Sequence, residues 1–131
     1  MSETSTPLNW KPNSKTKSYS GACHCRKFVY KFEHPLINGS TEAVTCNCSI
    51  CTKKGGVFLY TPESRFRFVS GSFKEISTYT FGNHAIKHHF CPRCGCNIIG
   101  SGWGHIGVNA RSMEGVDVST LRLKYHDGAS A

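Results

Sequence analysis

Cys91-Pro92-Arg93-Cys94-Gly95 is the stretch on which the reading of this chain turns. Two cysteines three apart, followed by a glycine that accepts positive φ, suit the tight turn of a zinc knuckle. Backbone N–H groups in such a turn point at the sulfurs. A knuckle supplies two ligands and needs two more. Far upstream, Cys23-His24-Cys25 offers them. On an extended strand, residues two apart project from one face, so both sulfurs can reach one ion while His24 points away. The two pairs make a four-cysteine site that would join distant segments.

Between the pairs lies a different cluster, Cys46-Asn47-Cys48-Ser49-Ile50-Cys51. It places three thiols within six residues, enough for one loop to wrap three corners of a tetrahedron. Lys53-Lys54-Gly55-Gly56 follows at once. The lysines would soften the site's negative charge, and the glycines would let a ligand approach the backbone. Two readings stay open for this triplet. It is a closed structural site, with Cys96 or a histidine as fourth ligand, or an open one whose fourth position takes water, a thiolate or a substrate oxygen. His88 and His89, just before the knuckle, are the histidines placed to approach the metals.

The chain has 131 residues, which points to one domain. Residues 1–17 are mostly Ser, Thr, Asn, Pro and Lys and read as a mobile polar and basic tail, leaving 18–131 as a single β domain. A core of that modest size gains from metal cross-links. The N-terminus carries no apolar leader, and Val57-Phe58-Leu59-Tyr60 is far too short to span a bilayer. The expected compartment is the reducing cytoplasm, extending to the nucleus, where clustered cysteines serve as thiolate ligands. The formal net charge is +8. Seven thiolate ligands and two zinc ions would reduce it to about +5. Lys11, Lys15, Lys17, Arg26, Lys27 and Lys31 form a basic N-terminal arm able to touch nucleic acid or another polyanion.

Most segments alternate with a period near two. Phe28, Tyr30 and Phe32 share one face of an expected strand from about Arg26 to Glu33. Phe66 and Phe68 alternate with Arg65 and Arg67 before a turn at Gly71-Ser72, and Phe73 to Phe81 reads as a further strand. Short strands are expected near Glu42–Thr45, Val57–Thr61, Ile86–Phe90, Asn97–Ile99 and His105–Asn109. No window shows a helical stripe, and Ser112 to Leu121 has room for one turn of helix. Trp103 reads as a packing residue. Aspartates are too scarce for paired-carboxylate chemistry, and no serine or threonine sits in a nucleophile arrangement.

Taken together, the clusters resemble the glutathione-dependent formaldehyde-activating enzyme family, which includes the centromere protein V group. The resemblance rests on Gly21-Ala22-Cys23-His24-Cys25, Cys46-Asn47-Cys48-Ser49-Ile50-Cys51-x-Lys53-Lys54-Gly55 and Phe90-Cys91-Pro92-Arg93-Cys94-Gly95. Val108-Asn109-Ala110-Arg111 and His126-Asp127-Gly128 extend it, so that it covers about Ser20 to Gly128. It implies a mainly β, Mss4-like zinc-bound fold of small packed antiparallel sheets. It implies Cys23, Cys25, Cys91 and Cys94 as structural zinc ligands and Cys46, Cys48 and Cys51 as catalytic zinc ligands, with no catalytic residue beyond them. The implied activity is that of a zinc-dependent carbon–sulfur lyase on a small thiol adduct, S-hydroxymethylglutathione from formaldehyde and glutathione being the named case. The competing class is a zinc-stabilised binding module for nucleic acid or cytoskeletal polymer, or a carrier of glutathione or formaldehyde. Cys96 falls where the family pattern requires no ligand.

Overall fold

The computed structural model describes residues 8–11 and 13–127. Residues 1–7 of the expected tail, and Gly128 of the closing motif, lie outside the described residues. Within them, ten strands form two sheets. The smaller sheet has the order β1 (Lys17–Ala22), β2 (Val29–His34), β5 (Phe66–Ser70) and is antiparallel. The larger contains β3 (Glu42–Cys46), β4 (Phe58–Pro62), β6 (Ser77–Tyr79), β7 (Lys87–Phe90), β8 (Asn97–Gly102), β9 (His105–Asn109) and β10 (Arg122–His126). Its order is β10-β3-β4-β9-β8-β7-β6. The fold is mainly β, as expected.

Alternation sets the packing. Along β2, Tyr30, Phe32 and His34 are buried while Lys31 and Glu33 are exposed. With Phe28 and Phe66, the Tyr30 and Phe32 rings meet Leu59, Ile99, Ile106 and Val108 of the larger sheet in one hydrophobic core. A fully buried ring such as Phe28 or Phe32 contributes about 1.5–3 kcal/mol. Two polar links tie β2 to the larger sheet and to the turn that follows β9. The Thr61 hydroxyl donates to the Glu33 carbonyl at 2.8 Å, and the Tyr30 and Ser112 hydroxyls share a hydrogen bond of 2.8 Å. On the chain before β1, the Trp10 indole N–H donates to the Tyr60 carbonyl at 2.8 Å, with Arg65 stacked 5.8 Å over its ring.

Several elements differ from the sequence expectation. Phe73 to Phe81 is not one strand. The N–H groups of Glu75 and Ile76 both donate to the Ser72 carbonyl, so a turn interrupts the β-prone run and only Ser77–Tyr79 pairs. The Cys23-x-Cys25 pair is not on a strand either: β1 ends at Ala22, and the Arg26 N–H closes a turn onto the Cys23 carbonyl at 3.0 Å. Two strands went unread, β1 and β10. β10 is the exception to antiparallel pairing, lying parallel to β3 from Arg122↔Glu42 to His126↔Cys46. A short helix, α1 (Ser49–Lys54), begins inside the cysteine triplet and ends on Gly55 at φ 66°.

Candidate metal centre

The four-cysteine set assembles from two turns. Cys23 and Cys25 follow β1, Cys91 and Cys94 follow β7, and all four sulfurs lie within 4.8 Å of one another. Cys23 Sγ and Cys25 Sγ are 3.7 Å apart, as are Cys25 Sγ and Cys91 Sγ. That separation is far beyond a disulfide of about 2.05 Å. Sulfurs about 2.3 Å from a tetrahedral zinc would stand about 3.8 Å from each other, so the spacing is compatible with zinc. Backbone donors converge as a knuckle requires. The Phe28 N–H points to Cys23 Sγ at 3.4 Å, and those of Arg93 and Cys94 to Cys91 Sγ at 3.3 and 3.4 Å. Gly95 sits at φ 77°, donating to the Cys91 carbonyl.

Electrostatics in this cluster favour a cation. N–H groups of Cys25 and then Cys96 aimed at its sulfur hold the Cys94 thiol down at about 6. The Lys27 N–H favours the Cys25 thiolate, yet burial and the neighbouring thiols of Cys91, Cys23 and Cys94 offset it and leave that thiol pushed up to about 11. Four adjacent thiols cannot all shed protons unaided, whereas a bound cation would relieve the conflict.

The triplet is built differently. Cys46 ends β3, Cys48 precedes α1 as its N-cap, and Cys51 lies in the first turn, so Cys48 and Cys51 share one face three residues apart. The three sulfurs also lie within 4.8 Å of one another, each half-buried. The Cys48 N–H points to Cys46 Sγ at 3.4 Å. Burial pushes the Cys48 thiol up, but the Cys51 N–H, the Cys51 and Cys46 side chains and the Ile50 N–H outweigh it and bring it below its ordinary value. Cys51 moves the other way, raised by burial and then by Cys48. Three soft sulfurs, one of them held below its ordinary pKa, are a suitable donor set for a thiophilic cation.

Among the described residues, no histidine, carboxylate or further cysteine joins the triplet. Cys96, a candidate fourth ligand from sequence, is half-buried, and the thiols acting on it are Cys94, Cys91 and Cys25 of the other cluster. Its own S–H donates to the Asn97 carbonyl at 3.7 Å. His89 is buried on the core face, bonded to the Thr78 and Ser101 hydroxyls at 2.9 and 2.8 Å. His24 is exposed.

The triplet opens instead onto a cleft of about 230 Å³, lined by all three of its cysteines. The cleft lies on the outer face of the larger sheet. Tyr60, Gly107, Gly100 and His88 are cross-strand neighbours there on β4, β9, β8 and β7. His88 faces the cleft, its ring stacked 5.9 Å from Phe81. Burial, then Lys54, lowers its pKa and keeps it neutral. Trp103, expected to be a packing residue, is 39% exposed on a turn at φ 51° and lines this cleft. His105, which had not been singled out from sequence, lines it too, as does His126 of the closing His126-Asp127-Gly128 motif, to which the sequence reading gave no role. His126 arrives through the parallel register of β10, which no spacing in the chain announces. Asn47 clamps that strand to the triplet loop: its N–H donates to the His126 carbonyl at 3.2 Å and its side-chain amide to Asp127 at 2.9 Å.

Fold and donor sets together define a small β protein organised around two cysteine clusters, each able to hold a metal ion. The model of the glutathione-dependent formaldehyde-activating enzyme family matches residues 18–124, and the chain belongs to that family. Its fold is similar to that of a Rhodobacter sphaeroides protein of known crystal structure. The TM-score is 0.68 at 30% identity, over 80% of this chain and 99% of that one. The fold is thus the expected Mss4-like arrangement of small sheets. No helix among the described residues is long and apolar enough to cross a membrane.

Proposed function

We propose that this protein is a zinc-dependent carbon–sulfur lyase acting on a small thiol adduct, with S-hydroxymethylglutathione as the family's named case. Cys23, Cys25, Cys91 and Cys94 would hold a structural zinc; Cys46, Cys48 and Cys51 would hold a catalytic one. One observation carries this reading: the triplet has three protein donors and a cleft where a fourth would stand. A structural site closes its own coordination, whereas a reactive one leaves a position for substrate. Zinc in the triplet would supply Lewis acidity to a thiol or hydroxyl oxygen reaching it.

The reaction is the reversible splitting of RS–CH₂–OH into RSH and formaldehyde. The C–S bond breaks with its electron pair going to sulfur, the hydroxyl oxygen forms the new C=O bond, and the hydroxyl proton ends on the thiol. His88, neutral and stacked on Phe81 at the cleft wall, would accept and return that proton, a role beyond the metal ligands to which the sequence reading confined catalysis. The rings of Tyr60 and Phe58 and the side chain of Ile50 shed water from the cleft. Cys48 acts as a ligand rather than a nucleophile.

Native mass spectrometry with and without an added small thiol tests the assignment. Two zinc ions per chain, and a thiol adduct lost in Cys48→Ser, are expected. One zinc and no adduct would refute the open catalytic site.

A further inference from the structure

The family name points to glutathione, a peptide with two carboxylates and an ammonium group. The cleft beside the triplet is made for something else. Among the described residues none that lines it is Lys, Arg, Asp or Glu. Lys54, three residues after Cys51, is taken up elsewhere. Its ammonium donates to Asn97 Oδ1 at 2.9 Å and lies 5.3 Å from the centre of the Phe90 ring. The basic side chains on the cleft walls are His88, His105 and His126, so a carboxylate drawn into the cleft would lose its hydration with no lysine or arginine to pair with.

The shape is equally specific. Its floor is Gly100, where a Cβ would meet nothing nearer than the Lys87 carbonyl oxygen at 3.6 Å. The flanking glycines are already covered. The Tyr60 ring lies over Gly107, and Ile86 lies over Gly102, at 2.9 and 2.7 Å from where a Cβ would stand. An open floor between an aromatic ring and an aliphatic side chain is a slot. Phe81 and Trp103, respectively 40% and 39% exposed, stand at its margin, and such large exposed rings are what a second ring packs against. At about 230 Å³ the slot falls below the roughly 300–1,000 Å³ usual for drug-sized ligands, so it suits a group of about one ring.

We infer that the cleft selects thiols and thiol adducts whose organic group is uncharged and apolar, of the size of a benzyl group, over glutathione. This rests on the proposed carbon–sulfur chemistry only for what happens after binding. The ring would lie on Gly100 between Tyr60 and Ile86, with its sulfur toward Cys46, Cys48 and Cys51.

The test compares benzyl mercaptan with glutathione on the zinc-loaded protein, by calorimetry for binding and by exchange NMR for breakdown of each S-hydroxymethyl adduct. Burial of one aromatic ring predicts binding of benzyl mercaptan roughly ten- to a hundredfold tighter than glutathione. Gly100→Val fills the floor with a strand-compatible side chain and should remove most of that preference while leaving the melting temperature and zinc content unchanged. Phe81→Ala, at a half-exposed position, should lower it in the same direction and guards against a folding artefact. Glutathione binding as tightly as benzyl mercaptan, or neither thiol binding, would overturn the inference. Tight benzyl mercaptan binding with no acceleration of either adduct's breakdown would leave the selectivity standing and refute the lyase reading instead.

Discussion

Replacing Cys91 by serine is the most severe single change the arrangement allows. Cys91 is wholly buried, its sulfur accepts N–H contacts from Arg93 and Cys94, and it stands 3.7 Å from Cys25 Sγ. A structural zinc site in a small domain contributes on the order of 10–16 kcal/mol near neutral pH. Whole-domain stability is only about 5–15 kcal/mol. Losing one of four thiolates need remove only about half of the metal's contribution to bring the fold to its limit. The variant should lack a cooperative thermal transition by calorimetry and near-UV circular dichroism, and should hold no more than one equivalent of zinc by elemental analysis. Cys96→Ala, next door but outside the donor set, is the control and should melt like the wild type. A Cys91→Ser protein that melts cooperatively at the wild-type temperature would refute the structural role of the four-cysteine cluster.

The other predictions concern separate parts of the molecule. Cys48→Ser should keep the melting transition and the first zinc while losing the second, seen as one zinc fewer by native mass spectrometry and a loss of adduct breakdown of at least about a hundredfold. Tyr30→Phe removes a buried hydrogen bond to Ser112 and should cost about 1 kcal/mol, read as a lower urea midpoint at unchanged slope. His34 is buried against Trp10 and Phe32, and burial lowers its pKa although its ring donates to the Pro35 carbonyl. Because the folded value lies below the ordinary 6.5, its contribution is fully present above pH 6.5 and declines as pH falls toward the folded value. Urea titrations across this range should show a shallower loss for His34→Gln than for the wild type; equal slopes would contradict the assignment.

Much of the fold was legible because a period of two is a local property. Tyr30, Phe32 and Phe66 declared their inward faces by alternation alone, and all are buried. The cysteine clusters were legible for a related reason, since turn spacing places ligands without reference to the rest of the chain. What failed was whatever depended on competition or register. Phe73 to Phe81 has strand composition, but the Ser72 carbonyl captures two N–H groups and turns the chain. Helix α1 spans six residues, too few for a period to show, although Lys53-Lys54-Gly55 carries the cationic last turn and glycine stop of a helix end. The cleft was invisible altogether. Its floor is a residue with no side chain, and its walls come from strands brought together by pairing.

The parallel strand β10 also sets an order of events. The four-cysteine cluster is complete once Cys94 has been made, whereas His126, on the cleft wall, and the Asn47–Asp127 clamp need the chain some thirty residues further on. A nascent chain can therefore close its first metal cluster while the triplet is still an unclamped loop. Cation capture at the triplet before β10 docks would occur at an accessible, half-built site, and docking of β10 then converts that site into a walled chamber. On this topology, a cation taken up by the triplet would be enclosed only once β10 has docked.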